Sequence, residues 1–153
     1  MNASFDLVPV DGLITVTAGF TPASNVHDPE SMYCRFYWLP DIGPSAYLAF
    51  LFLNMWLPAD EGASISINYE EFAHTLGTSP GRLTKALGRL AGFHLAYTLP
   101  PEPSTLYLKR RAPALSASQL TWLAKRCPTL AACHEEHRHA TRRNQLIAEG
   151  VPS

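Results

Sequence analysis

A chain of 153 residues, 46% apolar and 16% charged, suits one domain with short extensions, and such a domain buries roughly two-thirds of its unfolded surface without metal or disulfide. Cys34, Cys127 and Cys133 are too few and odd in number for a secreted disulfide framework, and Met1 opens no basic-then-apolar leader, so a reducing cytoplasm is expected. The net charge of −1 hides a division: residues 1–77 carry one basic residue against nine acidic, a balance of −8, and residues 78–153 carry eleven against four, a balance of +7. That asymmetry suggests one face meant for a polyanion.

Residues 5–20, FDLVPVDGLITVTAGF, alternate around Asp11-Gly12, which predicts a small β-hairpin or arm. TPASNVHDPES reads as a linker and the aromatic CRFYWLP as an extended segment, so residues 1–32 are taken as arm and linker and the folded body as starting near Tyr33. YLAFLFLNMWL, bounded by Pro44 and Pro58, is too short to span a membrane and predicts a buried helix over 45–57, with Tyr47, Leu48, Leu51, Phe52 and Met55 at core spacing. SISI predicts a short strand.

Asn68 with Glu71 marks one helix start, Gly77 its end, and Ser79-Pro80 a second start for a helix running to about Leu90. Leu95, Tyr97 and Leu99 alternate, as do residues 105–111. The two runs predict a hairpin tipped by PPEPS, able to pair with SISI. Ser116 with Gln119 opens a further helix, and Pro128 a last one to about Ala148, so that residues 33–127 form the body and 128–153 a helical extension.

Two short helices joined at a glycine and followed by a hairpin, in FAHTLGTSPGRLTKALGRLAGFHLA, resemble the winged helix-turn-helix of DNA-binding proteins over residues 45–111. Ala73 permits close helix approach, Gly77 takes the turn, and Leu83, Leu87 and Leu90 anchor the second helix. Ala86 and His94 depart from the family pattern, which has a larger aliphatic residue and a glycine there; His94 is a residue type that tolerates positive φ. WLPDIGPSA and RRAPALSASQLTWL also resemble small proteins of actinobacteria and their mobile elements.

The resemblance implies an α+β winged-helix fold and a sequence-specific double-stranded DNA-binding protein, a transcriptional regulator, for which a homodimer is the expected assembly. On a helical wheel, with Arg82 at zero and about 100° per residue, the three leucines fall opposite Arg82, Lys85 and Arg89, and no acidic residue interrupts that arc. Arg82, Lys85 and Arg89 are the candidates for base edges, Ser79 and Thr84 for phosphates, Gly88 for close approach of the groove wall, and Lys109, Arg110 and Arg111 for backbone contact from the wing. The plain alternative is a solvated surface helix.

Two further readings share the scaffold: a protein-interaction module presenting its aromatic segments, and a plasmid or phage replication protein. CPTLAACHEEHRH gathers Cys127, Cys133, His134, His137 and His139, but its spacing fits neither a zincin nor a zinc ribbon, so no metal or cofactor is expected. No phosphate loop, nucleophile elbow or third partner for Cys34 and His27 appears, so no catalytic residue is expected either.

Overall fold

The structure, a computed structural model, describes residues 5–19 and 25–148, and side chains among them as far as Arg138. The fold is mixed α+β, and the chain forms two units, Met1–Ala114 and Leu115–Ser153. The first holds β1 (Leu13–Ala18), β2 (Val26–His27), α1 (Leu39–Ile42), α2 (Pro44–Trp56), β3 (Ser64–Asn68), α3 (Tyr69–Thr75), α4 (Pro80–Gly92), β4 (Ala96–Leu99), β5 (Glu102–Leu108) and β6 (Ala112–Pro113). The second holds α5 (Ala117–Arg126) and α6 (Pro128–Ala148). This division differs from boundaries at 32 and 127, because β1 joins the main sheet and α5 packs with α6.

The main sheet has the order β3-β1-β5-β4. Strand β1 runs antiparallel to β3, with Ile14 opposite Ile67, and parallel to β5, with Val16 opposite Leu106. Ile14, Val16, Leu106 and Leu108 are all at most 1% exposed, so one face of these strands is core. The direct pairing of SISI with the hairpin is therefore replaced by pairing through β1.

The expected N-terminal hairpin is only half present. Its turn forms, with Asp11 at φ 53° and Gly12 at φ 76°, and Val10 and Leu13 exchange backbone bonds of 3.0 and 2.9 Å. Residues 5–9, however, are no strand, and Val8 donates its N–H to the Pro103 carbonyl at 2.8 Å. An isolated two-stranded hairpin is marginal in water, whereas β1 between two partners has both ladders satisfied and its apolar side buried.

CRFYWLP is helical where an extended segment was expected: Cys34–Trp38 winds as a wide π-type turn into α1. Winding puts Cys34, Tyr37 and Trp38 into the core, and Trp38 Nε1 donates to the Pro113 carbonyl at 2.8 Å. Helix α2 lies where expected but turned, burying Ala46, Tyr47, Ala49, Phe50 and Leu53 and leaving Met55 64% exposed. Nearly every position of α2 is apolar, so hydropathy alone does not choose its face.

The capping signals form as the sequence suggests. Asn68 Oδ1 accepts from the Glu71 N–H at 3.0 Å, Ser79 Oγ from the Arg82 N–H at 3.3 Å, and Ser116 with Gln119 closes a reciprocal box. Gly77 and His94 take φ of 70° and 62°, ending α3 and turning the chain into β4. Leu83, Leu87 and Leu90 are wholly buried, each worth about 1.5–3 kcal/mol by transfer, and fix α4 on the core. Because Ile14 is interior to the sheet, Ile14→Ala is expected to lower stability by about 2–5 kcal/mol in a denaturant titration. A detached arm would show no loss.

Candidate nucleic-acid interface

Helix α4 is strongly amphipathic because its leucines recur at positions 83, 87 and 90 while its cations occupy 82, 85 and 89. With the leucines buried, Arg82, Lys85 and Arg89 are exposed. All three line one groove of about 580 Å³ with Ala86 and the α1–α2 corner, Ile42 to Ala46. No carboxylate lines it, although buried Asp41 lies just behind Ile42.

The corner is built by Gly43-Pro44. Gly43 at φ 85° turns the chain, and Pro44 occupies the first helical position. No side chain caps α2, so the positive end of its dipole lies at the groove that Ser45 and Ala46 help line. Arg89 Nη2 donates to the Asp41 carbonyl at 3.0 Å, tying α4 to α1. Among the described residues Arg82 and Lys85 have no side-chain hydrogen bond or ion pair, so two cations and a helix N-terminus flank a third cation already anchored.

The other candidates on α4 have local partners. Ser79 caps the helix. The Thr84 hydroxyl lies 2.7 Å from Tyr69 Oη and donates to the Pro80 carbonyl at 2.9 Å, which leaves it little capacity for a phosphate. At Gly88, expected to admit a groove wall, the space beyond the backbone is taken by Phe5, whose Cδ1 would lie 3.5 Å from an added Cβ. The alternation of residues 5–20 pointed to a strand partner and gave no hint of this contact.

Lys109, Arg110 and Arg111 lie elsewhere. Asn54 Nδ2 donates to the Lys109 carbonyl at 3.1 Å and Arg110 Nη2 to the Leu57 carbonyl at 3.5 Å, both at the C-terminal end of α2. Thirteen helical residues separate the two ends by roughly 20 Å, so the two basic groups are not one patch. Arg111 pairs with Asp28 at 3.0 Å, and the cavity beside it is also lined by Glu30, Asp60 and Glu61. The β4–β5 tip carries Pro100, Pro101 and Glu102, and no cation.

In the second unit, no three His, Cys, Asp or Glu side chains converge to hold a metal, nor do any elsewhere among the described residues; the His139 side chain lies outside them. His134 is 5% exposed, and burial depresses its pKa, which favours the neutral ring. No described helix is long and apolar enough to cross a membrane.

Cys34 is fully buried, and desolvation pushes its thiol up to about 11. A thiol with a raised pKa stays protonated at neutral pH and is a poor nucleophile. In native protein near pH 8, iodoacetamide should therefore modify exposed Cys133 first and leave Cys34 intact until denaturation. Mass mapping of early alkylation at Cys34 would contradict its burial. Comparison of the chain with protein-family models, curated proteins and solved structures gives no match.

Proposed function

We propose that the chain binds double-stranded DNA through a winged helix-turn-helix, with α3 and α4 as the helix pair, β4 and β5 as the wing, and α4 directed at the major groove. The element order α2, β3, α3, α4, β4, β5 supports that fold reading. The observation that carries the functional reading is the groove in which Arg82, Lys85 and Arg89 meet the uncapped N-terminus of α2 with no lining carboxylate. A duplex supplies what that arrangement lacks: a row of phosphates, with base edges beyond them.

Within this reading Arg82 and Lys85 make the DNA contacts, and Arg89 orients α4 through Asp41. Arg110 and Arg111, which line an acidic cavity at the other end of α2, are left out of the contact surface in this reading. A homodimer would double a recognition element of only 13 residues, and transcriptional regulation is the role that fits such a reader.

A second reading, a protein-interaction module, draws on a different observation. Val8, Val10, Leu13 and Leu99 are each more than 40% exposed around the tip end of the sheet, where a DNA-binding wing would carry cations. The readings separate by salt. Duplex binding measured by anisotropy at about 50 mM salt should weaken steeply by about 200 mM. Arg82→Ala and Lys85→Ala should each reduce the slope of log affinity against log salt by about 1, with Arg111→Ala unchanged. Absence of duplex binding at low salt would transfer the site to the protein-interaction reading.

A further inference from the structure

Phe5 lies on the flank of α4 next to its basic arc, and residues 6–8 are bonded to the β4–β5 hairpin beside it. Phe5 sits on Gly88, the Asp6 N–H donates to Thr98 Oγ1 at 3.2 Å, Leu7 is 7% exposed, and the Val8 N–H donates to the Pro103 carbonyl. Gly88 is three residues beyond Lys85 and four beyond Thr84, so the Phe5 ring neighbours both on the helix surface. With the α1–α2 corner on the other side, the open arc of α4 from Gly88 to Arg82 is about 120° wide.

That width decides the matter. A helix with side chains is about 10–12 Å across and the major groove about 12 Å wide, while an added extended segment needs about 5 Å more. Helix and segment together do not fit the groove. The segment also carries an exposed carboxylate, Asp6, of the same sign as a phosphate.

We propose that residues 5–8 form a strap that holds Phe5 over α4 in the free protein and is displaced by duplex DNA, so that this segment restrains DNA binding. This rests on the DNA-binding reading above. The attachment suits release: Phe5 is half-buried and only Leu7 is deeply seated. Release ends at Pro9, because the Val10–Leu13 turn and β1 remain bonded into the sheet.

The test compares the full chain, Phe5→Ala, and a chain beginning at Pro9, titrated against one random-sequence duplex at low salt. In parallel, 4-fluorophenylalanine placed at position 5 alone is followed by fluorine NMR. The chain beginning at Pro9 is expected to bind about tenfold tighter and Phe5→Ala several-fold tighter. The fluorine resonance should move toward its unfolded-chain position as duplex saturates the full protein.

If the full chain binds and neither variant binds tighter, or the resonance stays put at saturation, the strap is overturned and DNA binding stands. Should the chain beginning at Pro9 fail to fold, Phe5→Ala and the resonance decide. If none of the three proteins binds duplex, the DNA reading falls and the strap falls with it.

Discussion

Strand β1 is hydrogen-bonded along both edges, antiparallel to β3 on one side and parallel to β5 on the other, and the arrangement of the first unit follows from that constraint. Its inward residues Ile14 and Val16 join Leu106 and Leu108 in the floor on which the helices sit. Because β1 starts at a tight turn bonded to itself, residues 5–9 are steered back over the β4–β5 hairpin and α4. The chain's acidic half thus supplies one of the two inner strands of the sheet that carries its basic helix.

Charge on α4 is arranged by elimination. Leucine burial fixes the helix rotation, Tyr69 engages Thr84, Phe5 covers Gly88, and the Asp41 carbonyl holds Arg89. What stays free is a narrow strip bearing Arg82 and Lys85 beside the open end of α2. At the other end of that helix, Arg111 is matched by Asp28, so the local balance there is the reverse of a polyanion site. Two basic clusters alike in composition differ in their neighbours.

How much of this was legible in the sequence depends on the range of the interaction. Asn68, Ser79, Ser116, Gly77 and the Asp11-Gly12 turn act within four residues, and each does what its chemistry implies. The rotation of α4 was also readable, since its leucines and cations segregate by period. The rotation of α2 was not, because it is apolar all round. Nor were the insertion of β1, the winding of CRFYWLP, the seat of Phe5 or the remote position of residues 109–111. Each of these depends on partners dozens of residues away, and alternation or charge content does not encode which partner wins.

The parallel pairing of β1 with β5 also has a consequence in time. Strand β1 is made before its partner β5, which lies some 90 residues downstream, a gap of about 5–20 s at ordinary elongation rates. During that interval a segment that finishes as an inner strand of the sheet has an unpaired edge in a crowded cell. One edge of β1 can be closed early by β3, whereas truncated translation products that end before β5 would carry β1 with its parallel partner missing.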